Sequence, residues 1–110
     1  MKKKNFILKN KYRIVIDKLG WSISDIDDFG QVELSKKSPY GEDFSIIISV
    51  DNFENKIANY EFDPEDHVEE MIMAKQQGFK GVPSVFTLCE DAKGIEAMIE
   101  ELQEKIDLVK

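Results

Sequence analysis

Apolar residues open this chain at intervals of four, three and four: Leu8, Tyr12, Val15 and Leu19. That is the spacing of one helical face, and Gly20 follows where a C′ glycine ends a helix. A strand over residues 12–17 competes, because Ile14, Val15 and Ile16 are all β-branched. The positions of Leu8 and Leu19 favour the helix.

The rhythm then shortens to two. Trp21, Ile23 and Ile26 predict a first strand, and Asp27-Asp28-Phe29-Gly30 has the short acidic start and terminal glycine of a turn. Val32 and Leu34 alternate with Glu33 and Ser35 in a second strand. A turn at Ser38-Pro39-Tyr40-Gly41-Glu42 leads to a third, where Phe44, Ile46, Ile48 and Val50 alternate with Ser45, Ile47 and Ser49. Clean alternation predicts a sheet with one buried face and one wet face.

After Asp51 the helical period returns. Phe53, Ile57 and Tyr60 predict a short helix. Asp63-Pro64-Glu65-Asp66 is a helix start, with an N-cap, a proline at N1 and acids at the positive dipole end. That helix runs through Val68, Met71, Ile72 and Lys75 to a stop at Gly78, and a breaker-rich loop covers 78–83. Ser84 caps the last helix. There Val85, Leu88, Ala92, Ile95, Ile99, Leu102, Ile106 and Val109 alternate three and four apart, the most regular signal in the chain. The expected fold is α+β: an antiparallel three-stranded meander with helices on one face, in the order αβββααα. At 110 residues it is one domain, with residues 1–4 as a basic tail.

Charge changes this picture most. Residues 1–20 carry seven Lys/Arg against Asp17 alone, a net +6, whereas residues 21–110 carry eight bases and 21 acids, a net −13. Such a balance repels polyanions and attracts cationic partners. The 42% of apolar residues excludes a disordered chain. One cysteine, Cys89, excludes an intramolecular disulfide and fits a reducing compartment. The apolar run Phe6-Ile7-Leu8 is too short for a signal peptide, and no stretch approaches the roughly 20 residues of a membrane span. A soluble, cytoplasmic protein without contact to membranes is expected.

Candidate chemistry is sparse. Asp63, His67 and Glu70 lie at i, i+4 and i+7, the spacing that would let one helix face hold a divalent metal for an enzyme. An acidic first turn with a solvent-exposed His67 explains the same residues, and no metal or cofactor is expected. Asp25 to Gly30 begins like a calcium loop, but Phe29 and Lys36 occupy ligand positions. Cys89 lies beside the apolar stripe between Leu88 and Glu90, next to Asp91, and no second histidine is available as its base. Twenty-two acids make any chosen carboxylate pair uninformative, and there is no Gly-rich phosphate loop. Catalytic residues are therefore not expected.

The acids of the last two helices are the surface of interest. With Val85 at heptad position a, Glu90 and Glu104 fall at f, Glu100 and Asp107 at b, and Glu101 at c, all away from the seam. Glu100 and Glu104 are spaced by about 6 Å of helix rise, on the scale of successive phosphates of a nucleic-acid strand. Glu65, Asp66, Glu69 and Glu70 add four more acids on the preceding helix. Direct nucleic-acid binding is not expected: only Tyr12-Arg13 shows aromatic-basic interleaving, and no zinc or helix-turn-helix pattern is present.

Several stretches resemble a family of small acidic proteins found on phages and conjugative elements of Gram-positive bacteria. They are Gly20-Trp21-Ser22-Ile23-Ser24, Val32-Glu33-Leu34 through Ser38-Pro39-Tyr40-Gly41-Glu42-Asp43-Phe44, Phe62-Asp63-Pro64-Glu65-Asp66-His67-Val68 and Gly81-Val82-Pro83-Ser84. The resemblance spans roughly residues 20–103, is most specific at Ser38 to Asp43, and carries no catalytic residues. The element order is also similar to that of a small acidic anti-CRISPR inhibitor of Cas9, an analogy of fold alone. The expectation is a non-catalytic inhibitor or adaptor that occupies a basic, nucleic-acid-binding surface of a host defence protein such as a nuclease. The alternatives are a self-associating domain that forms a homodimer through its last helix, and the metal-dependent enzyme.

Overall fold

A computed structural model describes residues 6–75 and 84–110. The tail at residues 1–4, the stop at Gly78 and the loop over 78–83 lie outside the described residues. The elements are α1 (Asn10–Lys18), β1 (Ser22–Ile23), β2 (Gln31–Lys37), β3 (Asp43–Ser49), α2 (Phe53–Ala58), α3 (Pro64–Lys75) and α4 (Val85–Val109), the order αβββααα.

The first segment is a helix and not a strand. Tyr12 and Ile16, one turn apart, are buried, and Val15 and Leu19 pack against the same core. Leu8 is buried too, but it precedes the helix. Gly20 takes φ +84°, Trp21 N–H donates to the Ile16 carbonyl and Gly20 N–H donates to that of Asp17. This is a Schellman end, which β-branched residues could not complete and glycine does. The Lys36 ammonium then donates to the Leu19 carbonyl at 2.6 Å, placing a cation at the negative end of the helix dipole.

The sheet is antiparallel in the order β1-β2-β3, with Val32 opposite Ile48 and Leu34 opposite Ile46. These four side chains are buried, whereas the opposite face carries Glu33, Ser35, Lys37 and Ser45, with Ile47 63% exposed. The helices pack on the apolar face, where the sheet shares one core with Ile95, Ile99, Leu102 and Ile106 of α4. The first strand is shorter than its pattern predicts. Trp21 precedes β1 because its N–H is taken by the Ile16 carbonyl at the end of α1, and Ile26 lies beyond it because Ser24 ends the ladder, its Oγ accepting from Glu33 N–H at 2.8 Å in place of a backbone carbonyl. The turn that follows is built as expected. Asp27 Oδ1 accepts from the N–H groups of Phe29 and Gln31, both at 2.9 Å, and Gly30 takes φ +76°.

Phe53 and Ile57 seat α2 in the core, and Gln103 of α4 donates to the carbonyls of Ile57 and Tyr60 at 3.0 and 2.9 Å. The Ile57 carbonyl also accepts from Tyr60 N–H at 3.1 Å, so Gln103 adds a donor from α4 at the end of α2. Along α4 the predicted stripe is buried from Leu88 to Ile106, but its first member, Val85, is 59% exposed. Among the described residues, the packing of α3 reaches α4 through Val68 onto Leu88 and Ala92, with Met71, Ile72 and Cys89 beside them, and does not include the first turn. No helix among the described residues is long and apolar enough to cross a membrane.

Candidate acidic interface

The acidic surface begins at the cap of α3. Asp63 Oδ1 accepts from Glu65 N–H at 3.0 Å and from Asp66 N–H at 3.3 Å, so its side chain is engaged by the helix start. Pro64 occupies the first helical position, where its missing N–H costs nothing. Glu65 and Asp66 in that first turn, and Glu69 and Glu70 in the next, are all exposed.

On α4 the outward acids lie as the heptad predicts. Glu100, Glu101, Glu104 and Asp107 are exposed and Glu90 is half-buried. From Glu90 to Asp107 they extend over about 25 Å of helix. Two are locally neutralised. Glu90 pairs with Lys93 at 3.6 Å, and Asp107 pairs with Lys110 at 2.7 Å, holding that ammonium above the ordinary lysine value. The other seven, four on α3 and three on α4, form no ion pair among the described residues. Their field is directed at solvent.

His67 departs from its expected exposure. It is half-buried, with its ring 5.3 Å from that of Phe62 and 6.2 Å from that of Phe44, at the end of an aromatic row that continues to Trp21. Among the described residues no group of three His, Cys, Asp or Glu side chains could hold a metal ion, so Asp63, His67 and Glu70 are not gathered into a ligand set. Cys89 is half-buried between α3 and α4.

Two residues outside the expected surface hold the β2–β3 turn against α4. Asp91, 3% exposed, accepts from Ser38 Oγ at 2.9 Å and from Tyr40 N–H at 3.1 Å. Ser38 Oγ in turn accepts from Glu42 N–H at 3.0 Å, so one carboxylate organises the whole β2–β3 turn. Gly94, one helical turn after Asp91, lets that turn approach: a Cβ there would run into Pro39 Cγ and stand 3.0 Å from its Cδ. The sequence signal for both lies at heptad positions g and c, which a reading confined to the apolar stripe passes over. The Ser38-Pro39-Tyr40 turn is thereby fixed to the helix that carries Glu90 and Glu96.

In comparisons with known proteins, no family model matches the chain, no curated protein matches it, and no solved structure matches it.

Proposed function

We propose that this protein is a non-catalytic inhibitor or adaptor of a mobile genetic element, whose acidic helices occupy a basic, nucleic-acid-binding surface on a host defence protein such as a nuclease. The observation that carries this reading is the set of seven exposed carboxylates, Glu65, Asp66, Glu69, Glu70, Glu100, Glu101 and Glu104, with no cationic partner among the described residues. Beyond the interaction of Glu65 and Asp66 with the α3 dipole, such a set adds repulsion, because like charges at i, i+4, as in Glu65 with Glu69 and Glu100 with Glu104, repel. A basic groove evolved for phosphates gains both attraction and faster encounter from it. The resemblance of residues 20–103 to mobile-element proteins supports the setting.

Self-association through the last helix is the second reading. The stripe from Leu88 to Ile106 is consumed in the chain's own core, so a homodimer would use the outer face of α4, where Leu108 is 70% exposed. The separating experiment reverses Glu100, Glu101 and Glu104 to Lys together. Binding to basic nuclease partners falls at least tenfold, while the melting temperature stays within a few degrees of wild type. Unchanged partner binding by that variant would refute the acidic-surface reading, and a mass that doubles with concentration in the absence of any partner would favour the homodimer.

A further inference from the structure

The charge on α3 and α4 is not spread over a flat surface. Between the two helices runs an open groove of about 670 Å³, and its composition is sorted. Its floor is apolar, from Val68 of α3 and Cys89 and Ala92 of α4, directly over the small core that Val68 and Ala92 form with Leu88. Its rim carries Glu65 and Glu69 on one side and Glu96 on the other, none of them ion-paired among the described residues. Lys93 is the single cation at the edge, and Glu90 already lies 3.6 Å from its ammonium. Glu65 and Glu69 are one turn apart, so both point along the same side of the groove.

Those features identify one kind of occupant. An apolar floor alone would accept any hydrophobic segment, and an acidic rim alone would collect counter-ions. An apolar floor between Glu65 and Glu69 on α3 and Glu96 on α4 fits a segment with an apolar side chain seated in the groove and a Lys or Arg on each flank. We propose that this groove is the docking site for a cationic amphipathic segment of the protein partner, an apolar residue flanked by Lys or Arg at helical spacing. The inference rests on the reading that the partner is a basic protein, and it names where on the acidic surface that partner is anchored. The Glu100, Glu101 and Glu104 carboxylates, farther along α4, then act in encounter and the groove in anchoring. Charged groups on a rim chiefly set the association rate, whereas a buried apolar contact sets how long the complex lasts.

Cys89 makes the proposal directly testable. It is the chain's only cysteine and it lines the groove floor, so alkylation by a maleimide reports on this one place. The probes are three short synthetic peptides: one of Lys with Leu at helical spacing, one in which Ser replaces each Leu, and one in which Gln replaces each Lys. The Lys/Leu peptide slows alkylation of Cys89 at least fivefold, and the Lys/Ser and Gln/Leu peptides do not. The combined variant Glu65→Gln, Glu69→Gln, Glu96→Gln binds the Lys/Leu peptide about tenfold more weakly, the sum of three exposed charge pairs each contributing within the usual range. The variant Glu100→Lys, Glu101→Lys, Glu104→Lys protects Cys89 as wild type does. Circular dichroism confirms that both variants keep the wild-type fold. If the Lys/Leu peptide binds and Cys89 reacts at its free rate, the groove is overturned as the anchor while the acidic-surface reading stands. If the Gln/Leu peptide protects equally, the charge complementarity is overturned. If no cationic peptide binds at all, the groove is overturned as a docking site, and the acidic-surface reading is decided separately by the binding of basic nuclease partners.

Discussion

Helix propensity and packing make opposite predictions for Gly94→Ala, so the sign of one measurement decides between them. In an exposed helix interior alanine is preferred over glycine by about 1 kcal/mol. Here the added methyl would overlap Pro39 Cγ and stand 3.0 Å from its Cδ, and a proline ring has no rotamer by which to retreat. The whole turn must shift, and overpacking of this kind costs about 1–3 kcal/mol. A shift also lengthens the bonds from Ser38 Oγ and Tyr40 N–H to the buried Asp91 carboxylate, each worth about 1.5–3 kcal/mol to a charged acceptor. The overpacking and the weakened bonds together outweigh the propensity gain. Gly94→Ala is therefore expected to destabilise by about 1–3 kcal/mol, or roughly 4–12 °C in Tm for a chain of this size. The assay is urea and thermal unfolding across a double-mutant cycle with Pro39→Ala. That change leaves only a Cβ, and the Pro39 Cβ is already 3.5 Å from the added methyl, an ordinary contact. In the Pro39→Ala background the same glycine substitution should be neutral or stabilising, so the coupling between the two sites isolates the close approach. A Gly94→Ala protein as stable as wild type, or more stable, would show that the turn is not held against α4 and refute the reasoning.

Three further outcomes follow from other parts of the fold. Ile99→Asp places an unpaired carboxylate where Ile99 is 3% exposed, and the loss of more than about 4 kcal/mol should leave the domain largely unfolded in circular dichroism. Asp63→Ala removes the acceptor of Glu65 and Asp66 N–H and should cost about 1 kcal/mol by chemical denaturation, with no response of wild-type stability to chelators or added divalent metals. The buried Tyr12 phenol, which donates to Glu54 Oε2 at 3.3 Å, is raised above 10.0 first by burial and then by the Glu54 charge. Above pH 10 the unfolded chain releases this proton before the folded one does, so stability is complete below that pH and falls as pH rises. Tyr12→Phe should flatten the alkaline limb of a stability-against-pH curve, followed by phenolate absorbance alongside circular dichroism.

The periodic parts of this fold were legible from residue types alone, and the reason is physical. A burial period of two or of 3.6 is imposed by local geometry, so Val32, Leu34, Ile46 and Ile48, or Leu88 to Ile106, announce their face wherever the rest of the chain lies. The caps at Asp63 and Ser84 were legible for the same reason, since each acts within one turn; Ser84 Oγ accepts from Thr87 N–H at 3.2 Å. What stayed hidden depends on contacts distant in sequence. Asp91 reads as one more surface acid until Ser38, 53 residues away, is placed beside it. His67 reads as exposed until Phe44 arrives from the sheet, and Val85 reads as core until the packing between α3 and α4 is seen, among the described residues, to begin at Leu88. The outward acids of α4 followed from the heptad, but the groove did not, because Glu96 joins Glu65 and Glu69 only through the way α3 lies on α4.

The most direct test of the acidic-surface account is the affinity for a basic nuclease partner measured by titration calorimetry across a series of salt concentrations, with duplex DNA as competitor. The account predicts an affinity that falls steeply as salt rises, since exposed charges are screened over about 8 Å at physiological ionic strength, and a complex that cognate duplex displaces. An affinity indifferent to salt, a complex that binds duplex without exchange, or retention of free duplex by the protein alone at physiological salt would contradict it.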